Sequence, residues 1–121
     1  MRKSRPYEIP LSSNPNILYT FEIIIYNNDE LIICLSDLED KEKYERSYTF
    51  EELKKEFSVL PKTVKYDLID LMHFQVFIAG LAKNKKIKIN KNKNEVSIEL
   101  KDIAPAPKGA EYNVSILLEE L

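Results

Sequence analysis

Six stretches of the sequence alternate apolar with polar or less apolar side chains, and this period of two limits the chain to strand-rich folds more firmly than any motif does. Tyr19, Phe21, Ile23 and Ile25 alternate with Thr20, Glu22 and Ile24, which predicts a strand from Ile17 with one strongly apolar face. Asn27-Asn28-Asp29 supplies turn chemistry, because Asn and Asp tolerate left-handed backbone and bond to their own main chain. The next strand, Glu30 to Ser36, sets Leu31, Ile33 and Leu35 against Ile32 and Cys34. With both faces apolar, it is expected to be central and covered twice. Lys43 to Tyr48 alternates again through Tyr44, Arg46 and Tyr48. Lys85 to Asn90 and Glu95 to Leu100 predict a hairpin around Lys91-Asn92-Lys93-Asn94. Tyr112, Val114, Ile116 and Leu118 predict a last strand after the loop of Pro105, Pro107 and Gly109.

Two helices are expected between these blocks. Thr49-Phe50-Glu51-Glu52 is a capping box, in which the Thr hydroxyl accepts from the amide three residues on and the Glu reaches back. It opens a short helix over Phe50 to Phe57, with Leu53 and Phe57 on one face. Thr63 is expected to cap a longer helix running to Lys83, amphipathic at first and then apolar nearly all round from Phe74 to Ala82, except for Gln75. Residues 1–16 contain Pro6, Pro10 and Pro15 with Ser12, Ser13 and Asn14, and are expected to form an extended arm before a single globular domain over 17–121. The predicted class is α+β. Strands come in blocks, so the order β-β-β-α-α-β-β-β predicts an antiparallel sheet or sandwich with an inserted helical pair.

Composition removes several chemistries. With 121 residues and 44% hydrophobic side chains, the chain can bury one core. Its two glycines, Gly80 and Gly109, cannot build a glycine-rich phosphate loop. One Cys and one His exclude an internal disulfide and a Cys/His zinc site. No apolar run reaches the roughly twenty residues of a membrane span, and no secretory signal follows the basic start. An intracellular, cytoplasmic setting is expected.

Candidate sites are few. His73, in Leu-Met-His-Phe of the longer helix, has no nucleophile assignable by spacing and reads as structural. Cys34 reads as packing. Asp37, Glu39, Asp40 and Glu42 lack the glycine and terminal Glu of a calcium loop and read as a solvated connection. No active site and no cofactor are therefore expected. The apolar stripe Phe74, Phe77, Ile78 and Leu81 fits either core or a contact with another chain, and Phe74, Phe77 and Leu81 are the candidate partner-binding residues. Lys83, Lys85, Lys86, Lys88, Lys91 and Lys93 precede the first acid, Glu95. Lys85, Lys86, Lys88, Lys91 and Lys93 are thus the candidate residues for an alternative, nucleic acid or another anionic surface. The run contains no Arg and no interleaved aromatic for base stacking, and edge strands carry Lys to block aggregation.

The stretch Ser47-Tyr-Thr-Phe-Glu-Glu-Leu-Lys-Lys-Glu-Phe57 after antiparallel strands, then a second helix and alternating strands ending at Ser115-Ile-Leu-Leu-Glu-Glu-Leu121, is similar to the globular head domains of the centriolar cartwheel protein and the end-joining repair scaffolds. The resemblance covers most of Leu18 to Leu118. It implies a small β-sandwich with a helical pair inserted between strands, which dimerises or binds partners ahead of a coiled coil. Here the sequence ends where that coiled coil would begin. The function expected is a non-catalytic protein–protein interaction or scaffold module, a self-associating head domain or an accessory subunit of a larger assembly.

Overall fold

The alternating stretches run as strands that close on themselves. In a computed structural model, residues 1–37, 42–104 and 112–121 are described. The elements in chain order are β1 (Arg2–Lys3), β2 (Tyr7–Leu11), β3 (Asn14–Tyr26), β4 (Glu30–Asp37), β5 (Lys43–Tyr48), α1 (Phe50–Glu56), α2 (Lys62–Lys65), α3 (Leu71–Lys83), β6 (Ile87–Asn92), β7 (Glu95–Leu100) and β8 (Val114–Glu120).

The ring of neighbours is β3-β2-β6-β7-β8-β5-β4, returning to β3, with β1 as an eighth strand on β3. This overturns the expected open sheet or sandwich with an inserted helical pair: seven strands form a closed barrel, accompanied by three short helices. The reason lies in β3. At 13 residues it is long enough to take β1 and then β2 along one edge while β4 covers the other. Among the described residues every pairing is antiparallel except the one that closes the ring, where β2 meets β6 in parallel at the single register pair Leu11↔Ile89. The amide of Ser12 adds one bond there, donating to the Ile89 carbonyl at 2.9 Å.

The N-terminal stretch supplies the two unforeseen strands, β1 and β2. Its prolines hide an alternation: Ile9 and Leu11 are buried and Tyr7 is partly buried, while Glu8 and Pro10 face solvent. Proline is tolerated beside a strand irregularity, and the β2–β3 register shifts between Pro10 and Leu11. The longer helix expected from Thr63 to Lys83 is also corrected. It is two pieces, because the Asp70 side chain accepts the His73 amide at 2.9 Å and begins α3 afresh. The Thr49–Glu52 capping box opens α1 as expected. Asn27 and Asn28 turn β3 into β4 with φ of 52° and 60°.

The inward face of each strand fills the barrel. Tyr19, Phe21, Ile23 and Ile25 of β3 meet Leu31, Ile33 and Leu35 of β4, Val96, Ile98 and Leu100 of β7, and Ile116 and Leu118 of β8 in one core. Leu53, Phe57, Phe74, Ile78 and Leu81 of the helical segment join it. A fully buried side chain of this kind contributes roughly 1.5–3 kcal/mol relative to its exposed state. Ile32 and Cys34, on the outer face of β4, are only partly buried, so β4 is central without being covered twice.

Candidate interaction surface

Helix α3 joins the barrel through one side and leaves another side bare. Leu71, Phe74, Gln75, Ile78, Leu81 and Ala82 are buried, at the three-and-four spacing of one helical face. Phe74 packs its ring against Phe57 and Phe50, with centroids 5.6 and 5.9 Å apart. Gln75 is a buried polar residue with its amide satisfied. It donates to the carbonyls of Ile23 at 2.9 Å and Arg2 at 3.1 Å, and accepts from Arg2 Nε at 2.9 Å. Two residues along a helix turn about 200°, so Val76 points away from Phe74 and Ile78. Val76 is 61% exposed and Met72 42% exposed. Ile69 and Tyr66, just before α3, are exposed as well.

Of the three residues expected to meet a partner, Phe74 and Leu81 lie in the protein's own core and Phe77 is half-buried. The structure brings Phe77 beside Met72 and Val76, which sequence reasoning missed. These three, with Leu68, Asp67, His73 and Arg2, line a groove of about 400 Å³. The signal available in sequence was the 72/76 spacing on the side opposite Phe74 and Ile78. In a segment apolar all round, that spacing does not announce which side faces solvent.

His73 stands exposed at this groove rather than packed. Its Nδ1 lies 2.5 Å from Asp70 Oδ1, the same oxygen that accepts the His73 amide. Those contacts, the amide first and then the ring, hold the Asp70 carboxyl below its usual range. The bond from the His73 amide to the Asp70 side chain caps the start of α3.

The lysine hairpin is exposed along its length, at Lys85, Lys86, Lys88, Lys91 and Lys93. Two of its charges, Lys86 and Lys91, already meet acceptors. Lys86 Nζ donates to the Asp102 carbonyl at 3.0 Å. Lys91 Nζ lies 3.2 Å from Glu42 Oε2, which also accepts from the Tyr44 hydroxyl. The Tyr44 hydroxyl, then Lys91, lower the Glu42 carboxyl. Lys88 stands opposite Glu99 in register, and Glu99 also pairs with Lys101 at 3.5 Å. The hairpin is therefore a ribbon of interspersed signs rather than a uniform cationic track.

Two other candidates resolve simply. Burial, then the nearby carboxylates of Glu45 and Glu22, push the Cys34 thiol up to about 11, which disfavours the reactive thiolate. Glu39 and Asp40 of the acidic connection lie outside the described residues, as does the loop of Pro105, Pro107 and Gly109. Among the described residues no group of three His, Cys, Asp or Glu could hold a metal ion, and no helix is long and apolar enough to cross a membrane.

No family model and no curated protein matches the sequence. The architecture does have a match. The crystal structure of the head domain of human CCDC61 is similar to 98% of this chain and 100% of its own, with a TM-score of 0.66 and 5% sequence identity. This chain has a head-domain fold. The resemblance therefore holds at the level of architecture. In this head-domain fold, α3 lies on β3 and also contacts β2 and β4.

Proposed function

We propose that this head-domain fold serves as a non-catalytic protein-interaction module, docking onto another protein or onto a second copy within a larger intracellular assembly. The observation that carries the reading is the two-sided helix α3. Phe74, Ile78 and Leu81 fix it to the barrel, while Met72, Val76 and half-buried Phe77 present contiguous apolar surface beside a groove. Apolar surface gathered in one patch is a mark of interaction sites, whereas single exposed apolar residues are ordinary. The likeness of the whole chain to a head domain supports the same reading. The contact face proposed is Phe77 with Met72 and Val76.

The test compares the wild type with a Met72→Glu/Val76→Glu variant. Both substituted positions are exposed, so circular dichroism and melting temperature should be unchanged. Solution mass by light scattering and capture from the native source are then measured side by side. Self-association, or a retained protein, present for the wild type and absent for the folded variant, supports the reading. Identical mass and identical capture for the two proteins overturn it.

A further inference from the structure

A second groove, of about 540 Å³, continues along α3 from the first and shares Arg2 and Val76 with it. One wall is the N-terminal run of Arg2, Lys3 and Arg5; the other is the C-terminal half of α3, ending at Lys83. Among the described residues, four cationic residues and no carboxylate line this groove, in a chain whose formal charge is -2, although the Lys3 side chain leans to the outer face beside Cys34. Among the described residues, none of the four forms an ion pair. Between the walls the floor drops to Ala79 and Gly80, and a Cβ at Gly80 would meet no atom within 4 Å. The Gln75 amide ties the Arg2 backbone to α3, so the two walls are held at a fixed separation.

The two grooves thus form one track with an apolar half at Met72, Val76 and Phe77 and a cationic half at Arg5 and Lys83. We infer that this track receives a short segment of a partner protein that is apolar at one end and acidic at the other, its carboxylates lying between Arg5 and Lys83. The inference rests on the protein-docking reading above and adds the chemistry of the partner. Cations without a carboxylate partner, beside an exposed apolar patch, steer and orient an acidic partner. The apolar half decides the class of macromolecule. A nucleic-acid backbone would gain from Arg5 and Lys83 but nothing from Val76 and Met72, whereas an apolar–acidic peptide uses both. Met72 to Lys83 spans about 17 Å at 1.5 Å per residue, a length that a few extended residues or a short helix covers.

The probe is a fluorescein-labelled synthetic peptide of matching length, with leucines in one half and glutamates in the other. Its controls are a peptide of the same composition in scrambled order, a polyglutamate peptide and a single-stranded oligonucleotide. Anisotropy is read at low and high salt. The patterned peptide should bind best, weaken as salt rises, and lose at least about tenfold in affinity to an Arg5→Glu/Lys83→Glu variant, since opposed charges become like charges. Gly80→Leu, which fills open space, should weaken it with the fold intact. Absence of binding by the patterned peptide, equal binding of the scrambled peptide, polyglutamate or oligonucleotide, or indifference to the charge reversals would each overturn the inference. If Val76→Glu abolishes binding while the charge reversals leave it unchanged, the docking reading stands and the acidic partner falls.

Discussion

Gln75 and Arg2, 73 residues apart in sequence, hold one another by two hydrogen bonds: Arg2 Nε donates to the Gln75 side-chain oxygen, and the Gln75 amide donates to the Arg2 carbonyl. A third bond from the same amide to the Ile23 carbonyl places this clasp where β1, β3 and α3 meet. One buried amide therefore joins the start of the chain to the helix that carries the candidate surface. Gln75→Ala should cost roughly 1–3 kcal/mol, because three side-chain hydrogen bonds are lost together, although the Ile23 carbonyl keeps the Ser4 amide as a donor. Chemical denaturation measures the loss, and amide exchange should rise first at Lys3 and Ser4.

The two sides of α3 should respond oppositely to truncation. Phe74→Ala opens a cavity among Phe50 and Phe57 and should destabilise by about 3–5 kcal/mol. Val76→Ala, on the exposed side, should stay within about 0.5 kcal/mol of the wild type. Urea unfolding of both variants checks the pair, and comparable losses would mean that α3 is seated the other way round.

Acid should loosen the start of α3. The Asp70 carboxyl is depressed by the His73 amide first and then by the ring. A depressed carboxyl contributes stability that is present above its unfolded value near pH 4 and is lost as pH falls through its folded value. Carbon-detected NMR titration should put the Asp70 midpoint below that of an unfolded Asp. Asp70→Asn keeps a side-chain cap and should remove this part of the acid dependence.

Cys34 should be a slow thiol. With its ionisation pushed up to about 11 by burial and then by Glu45 and Glu22, alkylation at mildly alkaline pH should run at least about tenfold slower than for a free cysteine. Mass spectrometry of a timed iodoacetamide reaction reads the rate directly. Glu45→Gln should quicken it by removing one of the carboxylates.

Sequence reasoning reached the strands whose alternation is uninterrupted. Tyr19 to Ile25, Leu31 to Leu35 and Val96 to Leu100 all carry their inward residues where the period of two puts them. The Thr49–Glu52 box was legible because it is a local bargain between two side chains and two amides. What escaped was either masked or long-range. Proline at positions 6 and 10 reads as a loop signal, although Ile9 and Leu11 face inward. Asp70 divides the helix without a proline or glycine to mark the break. Ring closure depends on Leu11 meeting Ile89, a contact that no window of sequence contains. The candidate surface escaped for a related reason. Phe74, Val76, Ile78 and Leu81 are all apolar, so only the position of the barrel tells which side is out.

The parallel contact of Leu11 with Ile89 makes the barrel a belt with one buckle. Six of its seven seams are antiparallel, whereas this one has a single register pair. The first motion of the wall should therefore be an unfastening of β2 from β6, with the rest of the ring standing as a curled sheet. Removing residues 1–13 would leave that belt permanently undone. The bared margins of β3 and β6 would then invite strand-to-strand stacking between molecules, so such a shortened protein should form fibrils or precipitate under conditions where the full chain stays dispersed.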